Sequence, residues 1–191
     1  MRSLFTIHAG EYLVGQYIED NFKKLNVWIP SKDTGIDFLV TNKSNTKSIS
    51  FQVKLSKDYS SSQRKNEIEQ GITVGGWLTL RHDKIEQSNA DYWVIAILPN
   101  ERYLKPIYIV IEPKVLLMKL KAVQSNGASK TYHIYPWIKQ GKGNKFEFAI
   151  NGRGLSKSEK VILKNNPRSI KDRDLTEFLD NWQCLNDLSS F

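Results

Sequence analysis

Glu11, Asp37, Gln52 and Lys54 put two carboxylates, one amide and one ammonium into the first 54 residues of a 191-residue chain. Carboxylate and amide oxygens are hard donors suited to a divalent ion such as Mg2+. An ammonium beside such an ion can orient or deprotonate water. Brought together, the four would support metal-assisted attack by water.

The elements that must position them are legible from periodicity. Residues 9–25, AGEYLVGQYIEDNFKKL, carry Val14, Ile18, Phe22 and Leu25 at a 4-4-3 spacing, which predicts an amphipathic helix over the whole stretch. Glu11 falls on the same stripe, and a core-facing carboxylate is costly without a cation or metal as partner. A short extended run, NVWIP, and a turn, SKDTG, follow. Two β-rich runs, GIDFLVT starting at Gly35 and SISFQVKLS, are separated by NKSNTK, which predicts a hairpin with a loop longer than a tight turn. In the second run Ile49, Phe51, Val53 and Leu55 share one face, and Ser50, Gln52, Lys54 and Ser56 share the other. Asp37, between Ile36 and Phe38, then comes beside Gln52 and Lys54 across the hairpin. Taken singly, Gln52 and Lys54 also fit a solvated hairpin face. Glu11 also fits a first-turn acid that complements the helix dipole, Asp33 a shaper of the DTG turn, and Gln16 a solvated helix position.

Residues 58–70 read as a polar, serine-rich loop, and Trp77 to Gln87 as a helix. DYWVIAILPN and KPIYIVIEP are nearly continuous apolar runs, as expected of strands covered on both faces. PKVLLMKLKAV predicts a helix with Pro in its first turn. HIYPWIK and NKFEFAI predict short strands, and DLTEFLDNWQCL a short helix capped near Asp174. The expected fold class is α/β, a central mixed β-sheet flanked by helices, carrying an α+β extension at the C-terminal end.

Composition narrows the partners. With 40% hydrophobic and 25% charged residues, the chain is neither mainly disordered nor collagenous nor a disulfide scaffold. Its apolar runs fall far short of the roughly 20 residues of a membrane span, and His8 and Glu11 interrupt what would be a secretory leader, so a cytoplasmic protein without membrane contact is expected. The lone Cys184 has no Cys partner for a disulfide or a zinc site, and His8, His82 and His133 are scattered. Net charge is +8 and uneven: residues 113–191 hold 14 basic and 7 acidic side chains, a net of +7. Such a segment can face phosphates, and a solvated surface would have the same composition. Within it, WIKQGKGNK interleaves Trp137 with Lys139, Lys142 and Lys145, although Trp137 fits a core position better than a stacking platform. Arg64 and Lys65 lie close in sequence to Lys54 and could clamp a phosphate.

The order Asp37, 14 intervening residues, then Gln52-x-Lys54 on the next strand resembles the PD-(D/E)XK nuclease superfamily. GID with Q-x-K looks closest to Mrr-type restriction endonucleases, and Glu11 in AGEYLVGQYIE resembles the first-helix glutamate of Holliday-junction-resolvase-like members. The likeness spans about residues 8–112 and departs in two places: Ile36 stands where a Pro precedes the Asp, and Gln52 is neutral where most relatives carry an acid, which weakens metal affinity. It implies a restriction-endonuclease-like core at 1–112; the basic remainder, 113–191, carries no family resemblance and is expected to pack on that core as one globular unit. The likeness also implies DNA endonuclease activity of restriction or defence type, with Mg2+, or Mn2+ in its place, held by Asp37, Gln52 and Glu11, and with Lys54 positioning the attacking water. Arg64, Lys65, Lys139, Lys142 and Lys145 would hold DNA, and cutting both strands implies a homodimer. Two further readings stay open: a nuclease-like module that binds nucleic acid without turnover, and a subunit of a larger defence or toxin assembly.

Overall fold

Val14 and Ile18, four residues apart on one helical stripe, are fully buried and set the face on which α1 (Ala9–Asn21) packs. In the computed structural model, which describes residues 9–32, 34–59, 71–100, 105–124, 130–141 and 145–190, this helix stops before the predicted stripe does. A turn donates Leu25 N–H to the Phe22 carbonyl, and Leu25 opens β1 (Leu25–Trp28). Leu25 is buried in the strand, so its apolar character served the core either way.

In chain order there follow β2 (Phe38–Asn42), β3 (Ser48–Lys57), β4 (Val74–Gly75), β5 (Leu78–Arg81), α2 (His82–Glu86), β6 (Tyr92–Leu98) and β7 (Ile107–Ile111). The rest comprises α3 (Pro113–Val123), β8 (Thr131–Ile134), β9 (Pro136–Gln140), β10 (Phe146–Asn151), α4 (Lys157–Asn165) and α5 (Gln183–Ser189). The central sheet runs β1-β2-β3-β6-β7. Only β3 and β6 are parallel, and the other neighbours are antiparallel, so the sheet is mixed. A parallel pair needs a crossover, and β4, β5 and α2 belong to the chain that makes it. β10-β9-β4 and β5-β8 form two smaller sheets beside the central one.

Each face of the central sheet has its own core. Val14, Ile18, Phe38, Phe51, Val53, Val94 and Val110 pack with Trp182 and Leu185 on one side. Trp93, Ile95, Ile97, Ile109 and Ile111 pack with Leu80, Ile85, Leu116, Leu120 and Ile138 on the other. Strands β6 and β7 are therefore apolar throughout, since both of their faces are covered. The chain beyond residue 112 enters both cores, through α3, β8 and β9 on one face and α5 on the other. Among the described residues no helix is long and apolar enough to cross a membrane.

The structure corrects four local expectations. The strand predicted from Gly35 begins at Phe38, because Gly35 turns the chain in the left-handed region, at φ 81°. The helix expected over Trp77–Gln87 is β5 followed by the short α2: Leu78 and Leu80 alternate inward and pair with β8, a period of two that overrides the helical pattern. The single C-terminal helix is split, with a short 3-10 turn at Thr176–Phe178 and α5 further on, because Asp180 adopts φ 43° between them. Helix α4 was not expected, although Ser156 and Glu159 form a capping box that the sequence S-x-x-E signals.

Candidate functional site

The β2–β3 hairpin sets Phe38 opposite Phe51, with the loop held by Asn42, whose Oδ1 accepts the Thr46 and Lys47 N–H groups. At the base of the hairpin, Asp37 donates its own N–H to the Phe51 carbonyl at 2.8 Å, and its Oδ2 accepts the Val53 N–H at 2.6 Å. Asp37 is thereby tied to the residues on both sides of Gln52, through its backbone N–H to Phe51 and through its carboxylate to Val53. Its Oδ1 accepts no hydrogen bond among the described residues.

Gln52 and Lys54 leave β3 on the face opposite Phe51 and Val53, as alternation predicts, and line a cavity of about 560 Å³. Parallel pairing sets Gln52 level with Trp93, and Lys54 Nζ lies 5.5 Å from the Trp93 ring centroid, a cation–π contact. The indole is fixed in turn, because its Nε1 donates to Ser88 Oγ at 2.8 Å. The amide of Gln52 makes no hydrogen bond among the described residues, so its oxygen is uncommitted.

The opposite wall comes from the crossover. Thr79 and Arg81 of β5, Asp83 and Lys84 of α2, and Asn89 close the cavity. Arg81 Nε donates to Asp83 Oδ1 at 3.0 Å; this hydrogen bond and the attraction of the guanidinium hold the Asp83 carboxyl below its ordinary value. Arg81 and Lys84 were not singled out from the sequence. The run R-H-D-K directly after the alternating L-T-L was the available signal, obscured by the helical expectation there.

Glu11 is not brought into this cavity. Helix α1 covers the Phe51 and Val53 face, and Glu11, half-buried in its first turn, lines a separate hollow of about 390 Å³ with Gln16 and Phe38. Gly10 makes the close approach possible, since a Cβ there would stand 2.9 Å from Leu55 Cβ. Lys139 on β9 pairs with Glu147 at 2.7 Å, and Lys145 is exposed just before β10; neither lines the cavity. Trp137 is half-buried against Gly152 and the small core of Phe148, Ile150 and Leu163, a packing position rather than a stacking surface. Asp33, Arg64, Lys65 and Lys142 lie outside the described residues.

Among the described residues no three His, Cys, Asp or Glu side chains converge as a metal-binding group. Among the described residues, the donors lining this cavity that fit a hard divalent ion are the Gln52 amide oxygen and the Asp83 carboxylate, the latter paired with Arg81; Asp37 does not line it, and stands one position beyond the Phe38–Phe51 pair, level with Gln52 across the hairpin. Lys54, Arg81 and Lys84 outnumber Asp83, with which Arg81 is paired, so the lining is net positive and suited to a phosphate group. In comparisons with known proteins, the chain matches no family model, no curated protein and no solved structure.

Proposed function

We propose that the protein is a metal-dependent DNA endonuclease of the PD-(D/E)XK type, hydrolysing phosphodiester bonds in the cavity between β3 and the crossover. The observation that carries this reading is the clamped Asp37 carboxylate beside a strand that sends Gln52 and Lys54 into one polar, cation-lined cavity. Supporting it is the order of elements: a helix, an antiparallel hairpin with the acid at its base, and a parallel strand after a crossover.

Asp37 and Gln52 would hold Mg2+ or Mn2+, which lowers the pKa of water and offsets charge developing on the phosphate. Lys54 orients the water that attacks phosphorus and stabilises the negative oxygens as the bond to the leaving sugar oxygen breaks. The attacking water gives up one proton to solvent as its bond to phosphorus forms, and the leaving oxygen takes one from solvent. Arg81 and Lys84 hold the phosphate groups of the strand through charge-assisted hydrogen bonds. A homodimer would place two such sites on the two strands of a duplex.

A second reading has its own support. Gln52 is neutral and Glu11 lines a different hollow, so the cavity has fewer acidic donors than a strong metal site, which favours a module that holds nucleic acid without cutting it. Incubation of supercoiled plasmid with the wild type and Lys54→Ala, in Mg2+, Mn2+ and EDTA at low salt, separates the two. Metal-dependent nicking that disappears in Lys54→Ala is the expected result. Intact plasmid in every lane together with a salt-sensitive gel shift would replace the nuclease with the binding module.

A further inference from the structure

Beyond the cavity, along the same strand, lies a row of aromatic rings ending in a guanidinium. Trp77 and Tyr59 are 49% and 44% exposed, and their ring centroids are 5.9 Å apart, edge to face. Trp77 meets Tyr135 at 6.4 Å, again edge to face, and the Arg153 guanidinium sits 5.2 Å over the Tyr135 ring while donating to its hydroxyl at 2.9 Å. Soluble proteins bury Trp on average, so a half-exposed indole in an aromatic row calls for an explanation.

The row is rigidly mounted. Trp77 N–H donates to the buried Ser56 Oγ at 2.8 Å, and Tyr59 N–H donates to the Gly75 carbonyl at 2.7 Å. Asn151 Oδ1 accepts both Tyr135 N–H and Arg153 N–H at 3.1 Å. Gly76 lets this backbone lie on the central sheet, since a Cβ there would stand 3.2 Å from Ser56 Oγ and 3.3 Å from Ile97. Rings held by fixed backbones lose little entropy when something stacks on them.

Position ties the row to the cavity. Ser56 follows Lys54 by two residues on the same face of β3, about 7 Å along the strand at the usual rise per residue. Trp77 immediately precedes β5, whose Thr79 and Arg81 line the cavity. A chain whose phosphate lies at Lys54 and Arg81 therefore has its neighbouring base within reach of Trp77. In a duplex the base faces are covered by their neighbours, whereas an unpaired base can leave the stack and lie on an aromatic face.

We infer that Trp77, with Tyr59, Tyr135 and Arg153 around it, is a base-stacking platform, and that the site takes unpaired, single-stranded DNA next to the phosphate held at Lys54. This rests on the proposal that the cavity receives a DNA phosphate, and it names the substrate class. A methylammonium ligand, the other chemistry that aromatic clusters bind, is disfavoured because Arg153 already covers the Tyr135 face with a positive charge.

The test is fluorescence anisotropy in EDTA at low salt with three labelled probes: oligo-dT, an abasic strand of equal length, and a duplex. The wild type binds oligo-dT about ten-fold or more tightly than the abasic strand, and more tightly than the duplex. Trp77→Ala removes the preference over the abasic strand and leaves abasic binding unchanged, and Trp77→Phe keeps most of it. Equal affinity for dT and abasic strands, a preference for duplex, retention of the preference in Trp77→Ala, failure to bind any probe, or displacement of dT by millimolar tetramethylammonium but not by sodium would each overturn the platform. With no metal present, the assay is blind to cleavage. Plasmid cutting without a dT preference defeats the platform alone, and a dT preference without cutting defeats the nuclease alone.

Discussion

The carboxylate of Asp37 accepts the backbone N–H of Val53 at 2.6 Å, so a side chain, together with the backbone bond from Asp37 N–H to the Phe51 carbonyl, ties the base of β2 to the middle of β3. Asp37 thereby secures the hairpin at the strand position level with Gln52, and its second oxygen accepts no hydrogen bond among the described residues.

The structural role and the proposed metal-binding role separate by substitution. Asp37→Asn retains an acceptor for the Val53 N–H, so its urea midpoint stays close to wild type while metal-dependent cleavage falls at least a hundred-fold. Asp37→Ala leaves the Val53 N–H without its partner and lowers stability by about 1–3 kcal/mol as well. Equal activity of wild type and Asp37→Asn would remove Asp37 from the site.

Asp180 predicts an unusual pH dependence. Burial raises its pKa from 3.8 to about 6, against the opposing effect of the Tyr108 N–H that its Oδ1 accepts at 3.0 Å. The folded state thus binds this proton more tightly than the unfolded chain, so this group favours folding as pH falls from 8 towards 5 and disfavours it as pH rises through 6. Full expression of the shift corresponds to roughly 3 kcal/mol. Asp180→Asn keeps the hydrogen bond and tolerates φ 43°, so denaturant curves at pH 8 should show it more stable than wild type, with the advantage gone near pH 4. An unchanged difference at both pH values would contradict this account.

Gly152 is held against the Trp137 indole so closely that an added Cβ would stand 2.3 Å from the ring. Gly152→Ala should lower stability by about 1–3 kcal/mol, the usual range for overpacking, and shift Trp fluorescence. Restored stability in Gly152→Ala combined with Trp137→Leu would identify the clash as the cause.

Cys184 is half-buried at the base of α5, and desolvation pushes its thiol up to about 11. Wild-type protein at pH 8 should react with a thiol reagent far more slowly than the same chain in 6 M urea, counted by mass spectrometry. Equal rates would mean that α5 does not stay docked on the sheet.

Arg173 is 6% exposed, its Nε 2.7 Å from Glu159 and its Nη1 on the carbonyls of Asn151 and Arg153 at 3.1 and 2.6 Å. Arg173→Met leaves these carbonyls without a donor and should cost about 2 kcal/mol or more in a thermal or urea melt. Because Arg153 is mounted on that same network, the variant should also weaken dT binding relative to the abasic strand.

Much of this was open to reading from local pattern, because period-two alternation in SISFQVKLS depends on nothing beyond the strand itself. That alternation placed Gln52 and Lys54 on one face, and the 4-residue spacing of Val14 and Ile18 placed α1. The apolar runs at Tyr92–Leu98 and Ile107–Ile111 marked strands buried on both sides. The nearest neighbours of those side chains were not legible. Arg81 and Lys84 reach the cavity because Leu78 and Leu80 pair with Ile134 and Tyr132 in a second sheet and Gly76 lies against Ser56, contacts between segments far apart in the chain. Glu11 reads as a partner of Asp37 by helical phase, yet α1 packs on the opposite face of β3, a choice made by Phe38, Phe51 and Val53 together. Trp77 and Tyr135 became neighbours through the pairing of β4 with β9 and β5 with β8. Sequence by itself determined the identity of α1, β3, β6 and β7 and which side chains shared their faces, because those follow from backbone geometry within one segment. Only tertiary structure decided which faces meet, because that depends on burying apolar surface contributed by residues far apart in the chain.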